Sequence, residues 1–242
     1  MRVLLTIQYD GSDWSGWQSQ TNGPSIQDEI ERVLGVICRN DVTLLAAGRT
    51  DAGVHANDQK AHFDLPENFS LHRLVQGANA LLSPTIRVRS AVEVAPDFHA
   101  RYLAKGKTYT YRIWTDPVAD VFRAPNHTHI PLELDVETMR KALADVRGEH
   151  DFRAFTVANP EVATTTREVL SAELIQNGPA IEITLAGRGF LRFMVRRIVG
   201  SLIEIGSGRI EPDSIRASLE PEFTESRWTA PARGLTLEKV HY

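Results

Sequence analysis

The 242-residue chain carries 27 Lys and Arg against 31 Asp and Glu, a net charge of −4, with 42% hydrophobic and 24% charged residues. That mixture belongs to an ordinary globular protein and not to a collagen-like, low-complexity or disulfide-scaffold chain. Cys38 is the single cysteine, which excludes an internal disulfide and a cysteine-rich zinc site. No apolar run approaches the length of a membrane span, so a soluble, cytoplasmic protein with no membrane contact is expected.

The opening MRVLLTIQY is too short in its apolar part for a secretory leader and reads as a strand over 2–9. Ile26, Ile30, Val33 and Ile37 recur at helical spacing and predict a helix over 25–37, with Ser25 at its N-cap and Asp28 three residues on. A short apolar run at 42–47 and another segment at 59–64 read as strands. A helix over 71–82, capped by Ser70, and an alternating strand over 86–94 complete a β-α-β-β-α-β order. The second half repeats the plan. A strand at 107–114 is followed by a proline-bearing loop over 115–133 and a helix at 135–146 marked by Val136, Met139, Leu143 and Val146. Strands at 167–175 and 180–186 flank the Asn177-Gly178-Pro179 turn, before a helix over 190–205 and a strand over 234–241. Two such units predict an α+β protein of two ferredoxin-like halves, each an antiparallel sheet with helices on one face, divided as 1–104 and 105–242.

The net charge argues weakly against a nucleic-acid partner, but the distribution argues for one. Six basic residues stand against two acids between Arg87 and Arg112, and four arginines against none between Arg188 and Arg197. Acids gather elsewhere, at Glu211, Asp213, Glu220, Glu222 and Glu225, so a basic face on an acidic body is expected.

The most informative stretch is GRTDAGVHA, residues 48–56. It sets Asp51 between Gly48-Arg49 on one side and Gly53 on the other, in a loop at a strand end, where chemistry is commonly placed. A buried carboxylate stays charged only with a cation beside it. The segment 190–205 is nearly all apolar apart from its arginines, which must therefore find partners. Arg188, Arg192 and Arg196 recur at spacing four and share a face if helical geometry already holds at Arg188. Tyr109 and Tyr111 alternate on a strand, so only one can face a cleft, and the pattern does not choose between them. Arg101, Lys105, Lys107 and Arg192 are candidate phosphate contacts.

Two other readings compete. Asp51, His55, Asp58 and His62 could suggest a metal-dependent hydrolase, although their spacing matches no recognised ligand pattern. A non-catalytic RRM-like RNA-binding protein is the second, because ferredoxin-like sheets include such modules and RGFLRF at 188–193 has a superficial likeness to their RNP1 strand.

GRTDAGVHA resembles the active-site signature of the tRNA pseudouridine synthase A family. YDGSDWSGWQSQ (9–20), SIQDEIERVL (25–34), DFHARYLAKGKTYTYRI (97–113), GEHDFRAF (148–155), FLRFMVRRIVGSLIEIG (190–206) and TAPARGLTLEKVHY (229–242) resemble its other blocks in the same order. One departure is Asp58, where the family commonly has glycine. The resemblance implies two halves whose antiparallel sheets join across a central active-site cleft, and a homodimer. It further implies isomerisation of uridine to pseudouridine at positions 38, 39 and 40 of the tRNA anticodon stem-loop, with no cofactor and no metal. It selects Asp51 as the catalytic carboxylate, acting at C1′, at C6 or as a base, Arg196 as the cation that pairs with it, and Tyr109 as the ring that packs on the uracil. Arg49, two residues before Asp51, is expected to be the side chain that enters the RNA and fills the gap left by the flipped uridine.

Overall fold

The computed structural model describes residues 1–21, 23–65, 69–157, 163–220, 222–223 and 227–242; Glu225 lies outside them. It is a mixed α+β structure of ten strands and five α-helices among the described residues. The chain divides into two compact units, Met1–Lys105 with Leu237–Tyr242, and Gly106–Thr236.

The first unit holds β1 (Arg2–Tyr9), α1 (Ile26–Cys38), β2 (Leu45–Ala46), β3 (His55–Asp64), α2 (Leu71–Leu81) and β4 (Ile86–Val94). Its sheet runs β4-β1-β3 with all pairs antiparallel, and β2 also pairs with β3. From Leu237 onward β10 (Leu235–His241) lies next to β3. Val3, Leu5 and Ile7 alternate along β1 and are fully buried, as are Ile30, Val33 and Leu34 of α1 and Leu74 and Ala78 of α2. The apolar stripes of both helices thus join the apolar face of a pleated sheet in one core. The other face carries a polar cluster: Thr6 Oγ1 receives the Lys60 ammonium at 2.7 Å and the Ser90 hydroxyl at 2.9 Å, its two cross-strand neighbours. Ser25 caps α1 as its sequence predicts, its Oγ accepting the Asp28 amide at 3.0 Å.

The second unit holds β5 (Gly106–Trp114), β6 (Thr128–His129), α3 (Val136–Ala144), β7 (Gly148–Asp151), β8 (Thr166–Asn177), β9 (Ala180–Gly187), α4 (Met194–Gly206) and α5 (Ser214–Ser218). The strand order is β5-β9-β8-β7, antiparallel throughout, with β6 parallel to β5. Met139 and Leu143 of α3 and Ile198, Val199 and Leu202 of α4 fill its core. Gly200 and Gly206 allow the close approaches of α4. A Cβ on Gly200 would stand 2.2 Å from the Trp228 carbonyl oxygen, and one on Gly206 2.5 Å from the Met139 sulfur.

Three elements differ most from their sequence-based bounds. The 42–47 strand shrinks to two residues because the Leu44 amide bonds Glu31 Oε1 at 2.7 Å instead of a neighbouring strand. The strand expected at 59–64 starts at His55. The helix expected from 190 starts at Met194, because Phe193 sits in the left-handed region at φ 64° and breaks helical geometry ahead of it.

Candidate active site

Asp51 lies in the loop between β2 and β3, half-buried, with Thr50 buried on one side of it and Ala52 exposed on the other. The loop is shaped mainly by the segment that follows β1. The Tyr9 hydroxyl meets Thr50 Oγ1 at 2.7 Å, the Trp17 amide donates to the Thr50 carbonyl at 3.1 Å, and the Gly53 amide donates to the Trp14 carbonyl at 3.2 Å. Inside the loop the Val54 amide closes a turn on the Asp51 carbonyl at 3.2 Å, and Gln59 Nε2 donates to the Gly48 carbonyl at 2.9 Å. Gly16 has φ +102°, and a Cβ there would stand 2.8 Å from the Thr50 carbonyl oxygen; one on Gly11 would stand 2.0 Å from that of Val54. Backbone therefore packs on backbone on both sides of Asp51, which fixes the course of the loop that carries it.

The quartet that suggested a metal is tied down elsewhere. His55 Nδ1 accepts the Gly11 amide at 3.1 Å, and His62 Nδ1 accepts that of Ala100 at 3.2 Å. Asp58 pairs with Lys60 at 2.8 Å and Lys239 at 3.7 Å and accepts the Val240 amide at 3.0 Å. Among the described residues no group of three or more His, Cys, Asp or Glu is placed to hold a metal ion. Asp58, the departure noted in the sequence, thus anchors the end of β10 to β3.

Arg49 is exposed, two residues before Asp51, and Arg101 and Lys105 are exposed in the same unit. Tyr109 stands on β5 of the second unit, 8% exposed, its ring edge-on to Phe190 at a centroid distance of 5.2 Å. Tyr111 is fully buried, its hydroxyl meeting Thr128 Oγ1 at 2.6 Å and donating to the Pro231 carbonyl at 2.8 Å; burial pushes its pKa up to about 12. Of the two alternating phenols, Tyr111 is engaged in structure. Lys107 is half-buried on β5.

The arginines of 188–197 separate into different surroundings. Arg188 and Arg192 both lie ahead of α4, Arg188 exposed and paired with Glu168 at 2.6 Å, so the three arginines share no helical face and only Arg196 stands on the helix. The guanidinium groups of Arg192 and Arg196 lie 4.7 and 5.3 Å from the centroid of the Phe193 ring, and Arg196 Nε donates to the Ala230 carbonyl at 2.8 Å. Arg197 is the buried member, bonded to the carbonyls of Ala154 and Thr156 and to Thr229 Oγ1. Sequence reasoning gave no site role to the Phe190 and Phe193 rings, and spacing alone does not separate Arg197 from Arg196.

The comparison with known proteins bears on the whole of the chain. A tRNA pseudouridine synthase A of Moorella thermoacetica is 44% identical over 243 residues, spanning 99% of this chain and 99% of the relative. The chain belongs to the tRNA pseudouridine synthase A family. Relatives of the same name from Syntrophotalea carbinolica and Bacillus pumilus are each 40% identical, spanning 99% and 100% of this chain and 96% and 99% of their own lengths. A family model described as tRNA pseudouridine synthase matches residues 142–242.

Proposed function

We propose that the protein isomerises uridine to pseudouridine at positions 38, 39 and 40 of the tRNA anticodon stem-loop. The observation that carries this reading is the match to relatives named tRNA pseudouridine synthase A along 99% of the chain, with Asp51 on a loop that backbone contacts hold in place. The reaction breaks the N1–C1′ bond, turns the uracil and forms a C5–C1′ bond. C5 loses a proton and N1 gains one, so no electron, phosphate or water is consumed. Such chemistry asks for a nucleophile or charge stabiliser, a surface to hold the detached base and a proton acceptor, all available from side chains.

In this reading Asp51 is the catalytic carboxylate, Arg196 the cation that keeps it ionised and Tyr109 the ring against the uracil. Arg49 enters the RNA in place of the flipped base, an extrusion that costs a few kcal/mol. Arg101, Lys105, Lys107 and Arg192 contact phosphates; three of the four are exposed, with Lys107 half-buried. The fold we assign is two ferredoxin-like halves, 1–104 and 105–242. The β-α-β-β-α-β order and the central place of β1 support it for the first half. A homodimer working in the cytoplasm completes the reading.

Tritium release from tRNA labelled at uridine C5, in EDTA and without added cofactor, tests it. Wild-type protein should release label. Asp51→Asn should lose turnover by roughly 10³-fold or more while still binding tRNA, since shape and phosphate contacts are untouched. An Asp51→Asn variant with undiminished release would remove the carboxylate from the chemistry, and binding without release by the wild type would favour an RNA-binding module.

A further inference from the structure

Towards the end of β3 remote from the Asp51 loop, three rings of the first unit stand in a column. His62, 1% exposed, forms its base. His99 lies against it with ring centroids 4.8 Å apart, and Tyr102 lies against His99 at 4.2 Å with the planes inclined by 34°. The column is held from within by backbone. The amides of Arg101 and Tyr102 both donate to His99 Nδ1, at 3.1 and 3.4 Å, and the Leu103 amide closes a turn on the His99 carbonyl at 3.0 Å. Its outermost ring is open, because Tyr102 is 76% exposed.

A large ring left in water adds nothing to the core, and here it is braced as well as exposed. Phe122 is a useful contrast: it is 91% exposed, yet no ring backs it among the described residues. Exposed cations adjoin Tyr102 in the chain at Arg101 and Lys105, and no acid occurs between Phe98 and Lys107. A preorganised aromatic face beside cations is the combination by which proteins hold an unpaired base, the ring taking the base and the cations the backbone.

We propose that Tyr102 is a stacking platform for an unpaired base of the RNA substrate, at a point other than the reacting uridine. The proposal rests on the reading of the protein as an RNA-modifying enzyme. From His55 to His62 the rise along β3 is about 23 Å, so a base on Tyr102 belongs to a different part of the RNA from one over Asp51. The platform orients the substrate and takes no part in bond making.

The test measures binding of full-length tRNA over a range of salt, with tritium release by the wild type followed in parallel. Tyr102→Ala should weaken binding roughly 5- to 100-fold, and Tyr102→Phe, which keeps the ring, should stay within about twofold. Tyr102→Leu keeps bulk but has no π face and should behave as Tyr102→Ala does. The slope of log Kd against log salt should be unchanged in all three, whereas Arg101→Ala should lower it by about one phosphate. An alanine variant that binds as the wild type does, a leucine variant as good as tyrosine, or an altered salt slope would each overturn the platform. Failure of the wild type to release tritium would count against the synthase reading alone, since the binding series reads Tyr102 separately.

Discussion

At Asp51 the course of a loop is set by atoms that belong to distant residues. Its neighbours Thr50 and Gly53 are bonded to Tyr9, Trp17 and Trp14, all of which lie more than thirty residues earlier in the sequence. Gly16 is the tightest of these supports that also needs a positive φ. Gly16→Ala forces a left-handed conformation on a residue with a Cβ and drives that carbon into the Thr50 carbonyl. It should cost about 1–3 kcal/mol of stability and lower turnover by more than the loss of stability explains. Urea unfolding and tritium release on the same preparation would separate the two effects, and a fully active variant would show that the loop does not depend on this approach.

Helix α4 solves a problem that its sequence only poses, namely how an apolar helix accommodates adjacent arginines. Arg196 keeps its guanidinium over the Phe193 ring, while Arg197 turns into the protein and gives its protons to the Ala154 and Thr156 carbonyls and to Thr229. Burial pulls the Arg197 pKa below its usual value, and the carbonyls of Ala154 and Thr156 take the protons of its guanidinium. Arg197→Met preserves length and apolar stem but strands those acceptors, and should destabilise the fold by about 1.5–3 kcal/mol in urea melts. Phe193, an aromatic residue at φ 64° immediately before α4, is an uncommon place for a β-carbon. It stops the helix and sets the ring against which both Arg192 and Arg196 lie.

Across the whole molecule, two buried imidazoles link stability to pH. His62 and His127 each have a pKa lowered by burial first and by nearby positive charge second, from His99 for one and Arg123 for the other. A base whose folded pKa lies below its unfolded value of about 6.5 stabilises the fold above that value. As pH falls, the unfolded chain takes up a proton first, so stability should be full near pH 7.5 and decline as pH drops below about 6.5. Urea midpoints at pH 7.5, 6.5 and 5.5 would follow the decline, and replacing both histidines with glutamine should flatten it. An equal slope in the double variant would assign the effect to other groups.

Periodicity and capping made the larger elements legible. Ile26, Ile30 and Val33 mark α1, Ser25 and Ser70 mark helix starts, and the alternation of β1 marks its buried face. The family was legible as well, because GRTDAGVHA and six further blocks are local in sequence, and relatives 40–44% identical along the chain bear it out. Short elements were not legible: β6 and β7 have two and four residues, too few to show a period, and β2 depends on where Glu31 points.

What the chain determined by itself is therefore the class of its elements and its family, since helical and strand periods and a contiguous motif are written in neighbouring residues. What only the folded structure decided is the environment of each functional group. Arg197 and not Arg196 is buried, Tyr111 is spent on Thr128 and Pro231 while Tyr109 lies against Phe190, and Asp58 anchors the end of β10. Each of these outcomes is set by partners tens of residues away or more, and contacts at that separation leave no imprint on local spacing.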